Sequence, residues 1–145
     1  MRTHLLVAAA IVSVLAGCSS EPPQYRPAPG ALVAGTAQAT VNGQDAGATD
    51  AVQCMTIGPL TIIKTGDDTG GVTAMISNKD QLRAESVAIR DLGGFTGSYN
   101  AGLGDDTAKV GMTGRTYDIN GTAEGFDTDS PSFRNSGTFA IKVSC

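Results

Sequence analysis

The sequence predicts an all-β domain: an antiparallel β-sandwich or curled barrel of eight or nine short strands, with one disulfide and little or no helix. Three observations predict it. Apolar residues recur with period two, most clearly in Thr138–Cys145, where Phe139, Ile141, Val143 and Cys145 share one face. Turn-forming residues interrupt that pattern, often about 8–12 residues apart, which is the rhythm of a sandwich or barrel. No segment carries a broad apolar stripe at helical spacing.

The strands follow in order. Ala31–Thr40 is small and weakly patterned and feeds into Ala39–Val41, which meets Asn42-Gly43, a strong hairpin signal. Ala51–Cys54 places Val52 and Cys54 on one face. Leu60–Lys64 and Val72–Ser77 are apolar and β-branched and are divided by Gly66-Asp67-Asp68. Asn78-Lys79-Asp80 precedes Glu85–Asp91, and Gly93-Gly94 precedes Phe95–Asn100. Beyond Gly102–Asp106 lie Thr107–Thr113, Thr116–Ala123 and Thr138–Cys145. Asn78–Glu85 is the one helix candidate. Its only large apolar residue is Leu82, so it predicts one turn or none. Asn120-Gly121 reads either as a hairpin turn or as a bulge within one strand.

The N-terminus carries a different signal. Arg2 and His4 precede an apolar run from Leu5 to Ala16. That is about a dozen residues, against roughly 20 for a spanning helix. Residues 1–17 therefore read as a signal peptide that is removed. The run ends Leu15-Ala16-Gly17-Cys18, a lipobox. Small residues at 16 and 17 let the chain lie extended in a peptidase groove. The Cys18 thiol then takes a diacylglyceryl group, and cleavage frees its amine for a further acyl chain such as palmitate. A plain signal peptide with an incidental cysteine is the competing reading. Two or three acyl chains hold a protein on a membrane, since each buried methylene contributes about 0.8 kcal/mol. The expected localisation is the extracytoplasmic face of the cell membrane, lipid-anchored and open to the cell surface.

Residues 18–37 are the acylated cysteine and a tether. Glu21–Gly30 holds four prolines in ten residues, which suits neither helix nor sheet. Residues 38–145 are the β-domain, large enough for a modest core. The net charge of −4 becomes one unit more negative when Arg2 leaves. With no basic cluster, nucleic acid is excluded as a partner. Tryptophan is absent, so Val, Ile, Leu, Ala and Met must build most of the core. Cys54 and Cys145 are the cysteines left after lipidation, and an even pair in an exported domain reads as a disulfide. Both fall on an apolar strand face, which predicts a buried bridge worth about 4–5 kcal/mol in the loop-entropy model. Two free buried thiols are the alternative.

Most catalytic chemistry is excluded by inventory. The one histidine, His4, lies in the leader, so no Ser-His-Asp triad, Cys-His pair or His-based zinc site is available. No nucleophile elbow or P-loop occurs. Gly93-Gly94-Phe95-Thr96-Gly97 precedes a strand pattern and reads as a turn. The acidic pairs Asp67-Asp68 and Asp105-Asp106, and Asp127-Thr128-Asp129, lack EF-hand spacing and read as solvated turns. Catalytic residues, metal ligands and cofactors are all expected to be none.

Several stretches together resemble a known family. They are Leu15-Ala16-Gly17-Cys18-Ser19-Ser20, Val41-Asn42-Gly43, Cys54, Ser86-Val87, Tyr117-Asp118-Ile119-Asn120-Gly121-Thr122-Ala123-Glu124-Gly125 and Phe139–Cys145. The chain resembles the mycobacterial LpqH lipoprotein antigen family, in its LppE-like branch, over roughly residues 39–145. The resemblance implies an acylated surface antigen without enzymatic activity, recognised by a host Toll-like receptor through its lipidated N-terminus. The family prototype has a Thr-rich, glycosylated tether, whereas this tether is Pro-rich with only Thr36 and Thr40 near it. Mannosylation therefore does not carry over. A second expectation, independent of the resemblance, is a carrier for an apolar envelope lipid, because small barrels can enclose such ligands. The domain is expected to be monomeric.

Overall fold

The structure is a computed structural model, and it describes Gly17 and residues 21–145. Ten strands run β1 (Ala37–Val41), β2 (Gln44–Thr49), β3 (Val52–Ile57), β4 (Leu60–Gly66), β5 (Gly71–Ser77), β6 (Arg83–Leu92), β7 (Phe95–Asn100), β8 (Lys109–Thr113), β9 (Thr116–Asp127) and β10 (Asn135–Ser144). They form one antiparallel sheet in the order β2-β1-β10-β9-β7-β6-β5-β4-β3, with β8 paired to the first half of β9. There is no helix among the described residues.

Closure follows from connectivity. β2 and β3 stand at opposite ends of the strand order, yet only Asp50-Ala51 separates them in sequence. The sheet must curl until its edges meet, which gives a nearly closed barrel. A register irregularity between β5 and β6 and another between β6 and β7 add the local twist that such curling needs. The turns suit the twist. Asn42 and Gly43 both have positive φ (52° and 76°), as do Gly93 and Gly94 (59° and 74°). These are the mirror-image two-residue turns that right-twisted hairpins prefer. The Asn42 carboxamide oxygen also accepts from Thr138 N at 3.1 Å, extending the β1–β10 ladder by one step.

The interior is packed by alternate residues of every major strand. Val41, Ile63, Ile76, Val87, Ile89, Phe95, Ile119, Ile141 and Val143 are all fully buried. With no tryptophan, two phenylalanines supply the bulk. They are seated on strand glycines. A Cβ on Gly137 would lie 2.8 Å from the Phe95 ring, and one on Gly121 would lie 2.8 Å from the Phe139 ring. Two glycines opposite two rings thus fill the same space that branched residues fill elsewhere.

Three sequence expectations are refined. Asn120-Gly121 is neither turn nor bulge. Asn120 pairs with Ala140 and Gly121 with Phe139 in an unbroken register, and Gly121 is needed because the Phe139 ring occupies its side-chain space. Asn78–Glu85 contains no helical turn, and Arg83–Glu85 already belong to β6. The strand β2 carries no large apolar residue, so no period-two pattern marks it. It forms because the turn at Asn42-Gly43 returns the backbone alongside β1. The described part of the tether, residues 21–29, is mostly exposed and has no regular structure. After it, Leu32 N donates to Thr116 Oγ1 at 2.9 Å and Gly35 N to Ser144 O at 2.8 Å, so the chain is fastened to the barrel before β1 begins.

Candidate functional site

The residues singled out from sequence divide into three places. Leu15, Ala16 and Cys18 lie outside the described residues. Gly17 is exposed. The expectation of a lipobox acylated at Cys18 therefore rests on the sequence alone.

Cys54 and Cys145 are joined in a disulfide, with Cα atoms 6.0 Å apart and 91 residues between them in sequence. Cys54 pairs with the buried Ile63, so it points to the inner face of the sheet. The expectation of a buried bridge is nevertheless corrected: Cys54 is exposed and Cys145 half-buried. The reason is position. β3 is the last strand of the path and is bonded only to β4, so nothing covers its inner side at the open seam. The bridge spans that seam and ties β3 to the end of β10. Arg115 completes the fastening: its Nη2 donates to Cys145 O at 2.8 Å, and Cys145 N donates to Arg115 O at 3.3 Å.

Two of the three acidic loops are engaged locally, those at Asp67 and Asp127. Asp67 Oδ1 accepts from Thr69 Oγ1 at 2.6 Å, Thr69 N at 2.8 Å and Gly70 N at 3.3 Å. The Thr69 hydroxyl, then those two amides, hold the Asp67 carboxyl below its ordinary pKa. Arg90 donates to the Asp67 carbonyl. Asp91 Oδ1 accepts from Thr128 Oγ1 at 2.8 Å, and Asp127 Oδ2 from Asn135 Nδ2 at 3.2 Å. Each carboxylate stabilises its own turn or a neighbouring one. Among the described residues, no three His, Cys, Asp or Glu side chains converge on a point that would hold a metal ion.

A cleft with an alanine-bearing wall opens at the seam. It measures about 300 Å³ and is lined by Ala37, Ala39, Ala46, Leu92 and Ile141 on one side and by Thr65–Asp67 and Thr69–Gly71 on the other. Its walls combine alanines with the polar side chains of Gln38, Thr49, Thr65, Asp67 and Asp91. Among the described residues, every buried side-chain nitrogen or oxygen has a hydrogen-bond partner. No polar group in the interior is left waiting for a ligand.

These features define a class: a small, nearly closed antiparallel barrel on a proline-rich segment, stapled across its seam by one disulfide, with a core of its own apolar side chains. The family model described as the Mycobacterium 19 kDa lipoprotein antigen matches residues 30–145. The chain belongs to this family. It is 34% identical to a predicted lipoprotein of Mycobacterium indicus pranii, over the full length of both chains. It is 34% identical to another from Mycobacterium avium subsp. hominissuis, covering 99% of this chain and 95% of that one. It is 29% identical to the lipoprotein LpqH of Mycobacterium tuberculosis, covering 95% of this chain and 92% of the relative. These relatives are named as lipoproteins, and the family as a lipoprotein antigen.

Proposed function

We propose that the protein is a lipid-anchored envelope antigen. Cys18 carries the acyl chains and holds the domain at the extracytoplasmic face, and a host Toll-like receptor takes those chains into an apolar pocket. The barrel is a non-catalytic display module. The observation that supports this most is the contrast between the two ends of the chain. The N-terminus ends its leader in a lipobox, whereas the barrel interior is filled and its buried polar atoms are paired. Membership in a lipoprotein antigen family agrees with it.

The test is Cys18→Ala expressed in the native envelope. The wild-type protein should carry an acyl mass at its N-terminus and sediment with membranes. The variant should appear in the soluble fraction and lose receptor signalling. Quantitative retention of the variant in membranes would end the anchor reading, and undiminished signalling would end the receptor reading.

The seam cleft, with Ala37, Ala39, Ala46, Leu92 and Ile141 on one wall, favours a second reading as a carrier for an envelope lipid whose apolar part meets that wall and whose polar part meets Thr65–Asp67. Native mass spectrometry separates the two. A stoichiometric lipid released only on denaturation makes the protein a carrier, and an empty barrel leaves the display module.

A further inference from the structure

The antiparallel register fixes which segments share an end of the barrel. The start of β1, the end of β10, the start of β9, the end of β7, the start of β6, the end of β5 and the β3–β4 turn all lie at one end. The tether is fastened at this same end, through Leu32 to Thr116 and Gly35 to Ser144. The chain from Cys18 therefore reaches the barrel where the β3–β4 hairpin turns.

Exposed apolar side chains are distributed unevenly between the ends. Met55 (59% exposed) and Ile57 (58%) lie on the outer face of β3. Leu103 (74%) stands in the loop after β7 and Met112 (46%) next to the β8–β9 turn. All are on or near the tethered end. Phe133 is the only such side chain at the opposite end among the described residues. The hairpin tip Ile57-Gly58-Pro59-Leu60 contains no charge, and Met55 pairs across the sheet with Ile62 and Ile57 with Leu60. The result is a continuous apolar row on the outside of the barrel. Edge strands are normally blunted by charge, proline or a bulge. β2 has Asp45 and a register shift, whereas β3 has none of these.

We propose that this end of the barrel is a membrane-contact face. Met55, Ile57 and Leu103 settle into the boundary between headgroups and acyl chains of the membrane that holds Cys18. The proposal rests on the anchor reading. The tether alone does not impose contact. A proline-rich segment extends about 3.1 Å per residue, so the chain from Cys18 to Leu32 reaches roughly 40 Å and would let the barrel stand clear. The apolar face is what brings it down. The loops and strand starts at this end carry Lys79, Arg83 and Arg115 together with Asp80, Glu85, Asp105 and Asp106, and Arg83 is paired with Glu85, so the attraction is apolar rather than coulombic and should persist in high salt.

The absence of tryptophan makes the test direct. Ile57→Trp and Phe133→Trp each place a single reporter, one at each end. The full acylated chain is reconstituted in phosphatidylcholine vesicles with brominated acyl chains. The Ile57→Trp emission should shift to the blue and lose most of its intensity to bromine, in low and high salt alike. The Phe133→Trp emission should do neither. Leu103→Trp supplies a second reporter at the tethered end if the strand variant misfolds. Vesicle flotation reports the anchor separately. A chain that floats with both ends equally unquenched overturns the contact and leaves the anchor standing, while a chain that does not float overturns both. A blue shift that depends on protein concentration and is not quenched by bromine assigns the face to a second copy of the chain, joined through the open edge of β3, and overturns the membrane contact.

Discussion

Strands β9 and β10 and strands β2 and β3 are held in place by different means. β9 and β10 pair over ten consecutive residues without irregularity, and their inner residues Ile119, Ala123, Phe139, Ile141 and Val143 are buried. β2 has no large apolar residue and shifts register against β1. β3 is exposed along most of its length and has one neighbour. The first pair is fixed by packing. The second is fixed by backbone pairing, a two-residue link and the Cys54–Cys145 bridge. The comparison teaches that a covalent link appears where packing runs out. A small barrel without tryptophan fills one wall with phenylalanine rings and staples the other.

Deleting the packing should have the largest effect. Phe95 is fully buried and its ring rests on Gly137 and Gly97. Phe95→Ala should lower stability by about 3–5 kcal/mol in denaturant titration, since the cavity cannot collapse onto a barrel wall. A loss under 1 kcal/mol, on the order of a surface change, would mean that the packed wall is not what holds the fold.

Deleting the staple should cost less and act in a different place. Cys54→Ser should lower stability by about 2–4 kcal/mol and expose one reactive thiol at Cys145. Amide exchange should quicken in β3 and in β2 while β9 and β10 keep their protection. Uniform acceleration through all four strands would erase the distinction between the walls.

The seam also carries Asp67, a carboxyl whose titration the folded turn shifts. Asp67 has its pKa lowered by bonds that only the folded turn supplies. Its contribution is therefore present at neutral pH. It is lost as pH falls below the ordinary carboxylate range, about 4, and through the lower folded value. Asp67 is fully exposed, so the effect on overall stability is small. It is best read by following the Asp67 carboxyl by NMR. The Thr69→Val variant removes the hydroxyl partner and should move the midpoint back up. An unchanged midpoint would assign the shift to something other than that bond.

Much of the barrel wall is legible from sequence because its signals are local. Period two marks β10 directly, apolar and β-branched runs mark β4 and β5, and Asn42-Gly43 and Gly93-Gly94 mark the β1–β2 and β6–β7 turns. The pairing of Cys54 with Cys145 follows from cysteine parity. The lipobox is a linear signal that a peptidase reads in an extended chain, so its place in the sequence carries all the information. Other features depend on what stands opposite. Gln44–Thr49 offers no apolar pattern and becomes a strand because β1 is beside it. Gly121 looks like a turn residue until the Phe139 ring is found in its side-chain space. Cys54 lies on an apolar face, but whether that face is covered depends on which strand comes next in the sheet.

By itself the sequence determined the fold class, most of the turns and the pairing of Cys54 with Cys145. Periodicity, turn chemistry and cysteine parity need no knowledge of distant contacts. Only the tertiary structure decided the closure of the barrel, the open seam, the exposed bridge and the gathering of apolar side chains at the tethered end. Each of those depends on residues far apart in sequence being brought side by side, and burial is a property of that arrangement, not of any residue alone.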